Sequence, residues 1–420
     1  MKRTALLILF YIISSFAAYP FTVPYFDEEF FLYPFLNYDQ QSEWKTAREG
    51  NLYSGSFVQT SHGSLTTWLL MSKEEAVINK DIGRGFSFRF RYHKDTGRLL
   101  SYEKKSAEAG FGYNVNNYVK ITADAGLSEQ KSEADFRPGV LFTFGNSYAY
   151  AGLEFEDIIF DEKNMGGGKN NNLPLNLRTD IRLTLNRLYF FMTGSYGTGI
   201  DRTWPDNWTA TDRTMQKTAV KELYTRTEFD ISGSLKIYQE NFFSGFEDAR
   251  KLTGTAVWDT LSGTWKISEQ EISEYDFKAS TFNIRLGGVW AFDEKNSVES
   301  GVSYARAKHE FDLIGGQALE NGHAKSYTID YPALLPYIIY RYRILQNLTA
   351  ETAYMGSYTI EENKDNFYYV GPGEDYWDKD LIKLGLEYRF SPNASLYISA
   401  GQLINTGVFG GGNARVNIFF

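Results

Sequence analysis

The chain has 420 residues, no cysteine, 30 Tyr, 32 Phe and a formal net charge of −9. The lack of thiols excludes disulfide staples, thiol chemistry and cysteine-based metal sites, and the acidic balance argues against a nucleic-acid partner. A mean hydropathy of −0.38 reads as a soluble chain, but a strand that alternates apolar and polar residues hides an apolar face from such an average.

The first residues read as an export signal. Lys2 and Arg3 precede the apolar run Ala5 to Ile13, and Ser15 and Ala17 suit cleavage after Ala17. The run is too short for a spanning helix. Residues 18–50 follow as an aromatic arm, with Pro20, Pro24 and Pro34 among Phe21, Tyr25, Phe26, Phe30 and Phe31. The prolines rule out a long helix and disfavour a central strand. The arm packs against the remainder of the chain or forms a small plug.

From Asn51 to Phe420 the pattern has period two. Asn51–Thr60 and Leu65–Met71 read as a weak first pair, turned by Ser61-His62-Gly63-Ser64. Gly85–His93 is the clearest case: Phe86, Phe88, Phe90 and Tyr92 share one face, and Ser87, Arg89, Arg91 and His93 share the other. Lys94-Asp95-Thr96-Gly97 reads as a turn into Ser101–Asn114. Tyr118–Leu127, Asp135–Phe144, Tyr148–Glu156, Leu177–Asn186, Leu188–Tyr196 and Leu223–Ile237 follow. Gly197–Val220 reads as a loop between the last two. Asn241–Trp258 and Trp265–Phe292 read as a hairpin longer than a bilayer needs. Ser297–Ala307, Tyr327–Ile344, Leu348–Tyr358, Leu381–Phe390 and Leu396–Gln402 lead to the last strand. Connections near residues 115, 146, 187, 294, 347 and 392 are short, and those near 165, 208, 261, 315, 370 and 408 are mostly longer.

The chain ends Ala414-Arg415-Val416-Asn417-Ile418-Phe419-Phe420. Ala414, Val416, Ile418 and Phe420 form an apolar face opposite Arg415 and Asn417. This segment resembles the C-terminal strand of bacterial outer-membrane β-barrels. The resemblance implies an all-β, antiparallel, up-and-down transmembrane barrel of about 16 to 18 strands. It also implies short periplasmic turns and long external loops. The last strand then pairs with the first, and Ala414–Phe420 is the segment read by the barrel-assembly machinery.

In such a barrel the polar faces line the interior. Arg89, Arg91, Arg178, Arg182, Arg226, Arg285, Arg341, Arg343, Lys383, Arg389 and Arg415 point inward, as do Asp180, Glu228, Asp230, Glu299, Glu351 and Glu387. They either pair in ladders between neighbouring strands or form a constriction that sorts small solutes. The expected function is a porin-like channel in the outer membrane, monomeric or a homotrimer, with membrane lipids and small solutes as partners, without cofactor or metal and without enzymatic activity. The alternatives are a rim hydrolase, for which His93 and Ser101 flank one turn, and a structural or adhesive barrel acting through its loops. Gly166-Gly167-Gly168-Lys169 lacks the spacing of a phosphate loop.

Overall fold

The computed structural model describes residues 53–64, 69–97, 102–128, 133–160, 169–205, 213–259, 264–316, 326–359, 379–392, 394–404 and 409–419. The signal sequence, the 18–50 arm and most of the longer connections lie outside them. Every described element is a strand or a connection between strands. In chain order the strands are β1 (Tyr53–Ser64), β2 (Leu69–Gly83), β3 (Phe86–Gly97), β4 (Tyr102–Asn114), β5 (Val119–Ser128), β6 (Glu133–Phe144) and β7 (Ser147–Phe160). Then come β8 (Lys169–Asn170), β9 (Leu175–Leu185), β10 (Leu188–Gly197), β11 (Ile200–Pro205), β12 (Arg213–Ser232), β13 (Leu235–Asp259) and β14 (Thr264–Ala291). The remainder are β15 (Asn296–Gly316), β16 (Ser326–Leu345), β17 (Leu348–Thr359), β18 (Lys379–Ser391), β19 (Ala394–Leu403) and β20 (Phe409–Phe419).

All pairings are antiparallel, and nearly all join neighbours in sequence. The short β8 and β11 pair with each other beyond the β9–β10 ladder, so they continue β9 and β10 past a break. Twenty segments less these two leave eighteen staves. The last strand pairs with β19 on one edge and with β1 on the other, from Ser56↔Phe419 to Gly63↔Gly412. Each stave therefore has a hydrogen-bonded neighbour on both sides, and the ladders run round a ring.

The two faces of the ring differ. Phe86, Phe90, Phe111, Ile121, Phe142, Leu177, Phe229, Ile237, Leu286, Ile338 and Leu384 are all exposed, between 39% and 62%. The residues that alternate with them are buried; many are charged, among them Arg91, Glu108, Asp124, Asp180, Glu240, Arg285, Glu351 and Lys383, and others are tyrosines or apolar, such as Leu335, Ile339, Met355 and Leu381. Apolar residues thus face outward and charged residues inward, the reverse of a soluble sandwich. The register also assigns faces in β20, where Ala414, Val416 and Ile418 pair with Ile398, Leu396 and Ala394, and Arg415 pairs with the buried Tyr397.

At one end of the ring all connections are short, two to four residues. They join β2–β3, β4–β5, β6–β7, β9–β10, β12–β13, β14–β15, β16–β17 and β18–β19. At the β14–β15 turn the Asp293 carboxylate accepts hydrogen bonds from the backbone N–H of Lys295 and of Asn296, both 2.7 Å, and from the Asn296 side-chain amide. At the β9–β10 turn Asn186 takes φ +45°, a left-handed conformation that Asn tolerates better than most residues.

Several expected boundaries move. The segment Ser61–Ser64 is the end of β1, held by β2 and β20, and not a turn. Lys94–Gly97 is the tip of β3, paired with Tyr102–Lys105, although Asp-Thr-Gly carries turn chemistry. The segment 197–220 is mostly strand, because β11 and the start of β12 extend the ladders there. Leu223–Ile237 is two strands turned at Gly233-Ser234. A bulge between Asp230 and Ser232 keeps even-numbered residues on the inner face on both sides of the turn, so the alternation in the sequence shows no break.

Strands β12 to β16 contain 20, 25, 28, 21 and 20 residues, against the roughly 10 that cross a bilayer. On these strands the outward face changes character with height. Leu223, Phe243, Phe282 and Tyr304 give way to Lys221, Glu247, Lys278 and Arg306 as the strands rise from the short turns. Lys278 lies beside Asp276 at 2.9 Å, and that hydrogen bond raises its pKa. At the far end of β16, Ser326–Pro332 pairs with β15 but, among the described residues, with nothing on its other edge.

Replacing Asn186 by Val should cost about 1–2 kcal/mol, because a β-branched residue resists positive φ, whereas Asn186→Gly should be near neutral; urea unfolding of the detergent-refolded protein reads both. The Asp293 carboxyl is held below the usual carboxylate range, first by the Asn296 side-chain amide. The turn's contribution should be complete above the ordinary carboxylate pKa and disappear as pH falls through the lowered one. Asp293→Asn should flatten that acid limb of the unfolding midpoint.

Candidate functional site

On the inner face of the ring charged side chains converge in rows across neighbouring strands. The register places Arg89, Gly110 and Asp124 side by side on β3, β4 and β5. Arg89 reaches over Gly110 to Asp124, with its Nε 3.1 Å from Oδ1. A Cβ at Gly110 would collide with the Asp124 carboxylate, so the missing side chain is what opens the path. On β6, Arg137 sits between Glu108, at 2.8 Å, and Glu154. Arg91 stands 3.9 Å from the same Glu108.

A second row crosses β13 to β16 as Tyr238, Gly287, Gly301 and Tyr337. The two tyrosines lie over the two glycines, and their hydroxyls hydrogen-bond to each other. The Tyr238 hydroxyl also donates to Glu299. Charged groups flank this row. Arg226 lies 2.6 Å from Glu240 and also pairs with Glu228, and Arg285 lies 3.2 Å from the other Glu240 oxygen. Arg341 bridges Glu299 and Glu351, at 2.8 Å each. The Tyr397 hydroxyl donates to Glu351 at 2.7 Å, and the Lys383 ammonium stands 5.8 Å from the Tyr397 ring centroid. The result is a belt from β12 to β19 in which cations, carboxylates and phenols alternate.

The other candidates sit apart from these groups. Arg178 lies 3.5 Å from Asp180, which accepts from Thr193, and Arg182 stands over the Tyr189 ring. Lys236 lies 3.4 Å from Asp230. Near the short-turn end Arg389 lies 3.3 Å from Glu387, with 60% of its side chain exposed. Arg343 is exposed, and Arg415 is placed only by register. In the described wall these charges are turned on one another. Chemically the arrangement holds a polar surface rigid; it does not aim a nucleophile or a base at a shared point. His93 lies in β3 with its side chain outside the described residues, and Ser101 lies outside them altogether, so the pair has no geometry here.

Alternation alone does not single out Tyr238, Tyr337, Tyr397, Asp124, Arg137 or Glu240 as members of these rows. The signal is in the glycines. Aligning the hairpins on their short turns sets Gly110 between Arg89 and Asp124, and Gly287 and Gly301 between two tyrosines.

A ring of ladders with an apolar outer band and a charged inner wall decides the architecture. The fold is that of the bacterial outer-membrane β-barrels. No protein-family model matches the chain, and no curated protein matches it. Among solved structures, the in-vitro folded OmpT, an outer membrane protein of Vibrio cholerae, is 15% identical, with 89% of this chain and 99% of that one covered and a TM-score of 0.34. The CymD monoaromatic hydrocarbon channel is 10% identical, covering 89% and 88% at a TM-score of 0.31. The unliganded ferric citrate transporter FecA is 11% identical at a TM-score of 0.42, and this chain spans about half of its length, 51%. These likenesses concern the fold.

Glu240 is 2% exposed as a side chain and holds two arginines. Glu240→Gln should destabilise the barrel by about 3–5 kcal/mol, since the buried Arg285 loses the carboxylate it pairs with and Arg226 keeps only Glu228. Arg389→Ala, at an exposed pair, should change stability by less than about 0.5 kcal/mol; urea midpoints compare the two.

Proposed function

We propose that this barrel resides in the outer membrane and passes small solutes without an energy source. The single observation that carries the reading is the alternation itself: a lipid-compatible exterior and an interior rich in paired charges on the strands whose side chains are described. A wall of paired charges presents water and ions with a polar surface while cancelling most of its own field. The reading therefore favours passage governed by size over strong selection by charge. It takes membrane lipids as the surrounding partner and the β20 segment as the part engaged during assembly. A second reading, a barrel that acts on its surroundings through what stands outside the bilayer, is favoured by the five tall strands β12 to β16.

Purified protein inserted into planar bilayers should give discrete conductance steps. Arg389→Glu should move the reversal potential toward cations, because that side chain meets solvent, whereas Asp180→Asn, enclosed by Arg178 and Thr193, should leave it nearly unchanged. Inserted protein that stays silent, both as the full chain and after deletion of residues 19–38, sinks the channel reading and leaves the tall strands as the working part.

A further inference from the structure

The outward band is apolar almost everywhere, and one part of it is not. On β12 the outward residues, from the loop side to the turn, are Leu223, Thr225, Thr227, Phe229 and Ile231; on β13, from the turn upward, they are Leu235, Ile237, Gln239, Asn241 and Phe243. The register sets Thr225 opposite Asn241 and Thr227 opposite Gln239. The four polar residues thus form one patch at mid-height. Exposed apolar residues bound it on both sides: Leu223 and Phe243 above, Phe229, Ile231 and Ile237 below. Another outward amide in the described band, Gln402 on β19, stands opposite Ile382, whereas on β12 and β13 four polar residues adjoin one another.

Hydrocarbon offers these groups nothing. Each amide has two donors and an acceptor with two lone pairs, and polar groups without partners are expensive in lipid. Within the patch the Gln239 amide donates to Asn241 Oδ1 at 3.1 Å, and the Asn241 amide donates to Thr225 Oγ1 at 2.9 Å. That uses one N–H of each amide. The Gln239 carbonyl accepts no hydrogen bond among the described residues, and Gln239 is exposed. The unused groups on the exposed Gln239 are thus open to a partner outside the barrel, as donor and acceptor together.

We propose that the outward face of β12 and β13 is the contact between two copies of this chain, related by a two-fold axis through the Gln239–Asn241 patch. Carboxamides are self-complementary: the donor of one copy meets the acceptor of the other, and the reverse pair forms at the same time, as an isologous contact requires. Lipid chains cannot do this, whereas a second copy brings the matching donors and acceptors by symmetry. The neighbouring positions admit a close approach. Gly194, opposite Leu223, and Gly288, opposite Ile237, leave the flanking outward face low.

The chain has no cysteine, so one introduced thiol reports on this contact alone. Gln239→Cys places two thiols next to the axis. Mild oxidation of intact outer membranes should give a covalent dimer of the chain, while Leu386→Cys, on the outward face of β18, should give none. Gln239→Leu with Asn241→Leu suits lipid better than the original pair. That variant should fold, as judged by its heat-dependent gel mobility, and run as a monomer in mild detergent where the original chain runs as a dimer. A folded Gln239→Cys protein that stays monomeric on oxidation overturns the proposal. So does a cross-link to a different protein, and so does a dimer that survives the double substitution.

Discussion

Backbone polar groups inside a bilayer have no water to turn to, and the rest of this structure follows from that constraint. A sheet with an open edge in hydrocarbon would leave a row of unpaired N–H and C=O groups, each costing several kcal/mol. The β1–β20 ladder removes both edges at once. Once the sheet returns on itself, each strand must show one side chain to lipid and the next to the interior. The short turns and the bulge after Asp230 are the local devices that keep this phase intact across many hairpins.

The constraint moves the charges inward, and the inner wall then has to make them tolerable. It does so mainly by pairing. Glu240 serves Arg226 and Arg285, Arg341 serves Glu299 and Glu351, and Arg137 serves Glu108 and Glu154. Such pairs contribute little net stability once desolvation is counted, yet leaving one member alone is costly. Tyrosine adds a second solution. Over Gly287 and Gly301 the rings of Tyr238 and Tyr337 cover backbone that would otherwise be bare, and their hydroxyls join the ionic belt. Stiffness of the wall and shortness of its field have the same origin.

Much of this was legible in the residues. Phe86 to Tyr92 against Ser87 to Arg91, and Leu177 to Leu185 against Arg178 to Arg182, announce two-sided strands without any structure, because period two in a membrane strand is imposed by the solvent on each side. The length of β13 and β14 was also visible, as a hairpin with more residues than the bilayer needs. The turn at Gly233 was not, since a bulge restores the alternation on its far side. The tips of β1 and β3 read as turns because polar, glycine-containing strand ends above the lipid have no apolar face to mark them. The rows on the inner wall needed the register between strands, which a single sequence carries only through the placement of its glycines.

The far end of β16 leaves one row of backbone groups outside the closed system. Ser326–Pro332 belongs to a ladder on one side only among the described residues. In water such an edge is no longer a solvation problem, but it is a template on which any extended chain can add itself as the next strand. Pro332 removes one backbone donor from this stretch and Asp330 places a carboxylate on it. These are the residue types by which exposed sheet margins resist growth. The same element that lifts the wall above the membrane is thus one of the places where this protein has to guard against becoming part of a larger sheet.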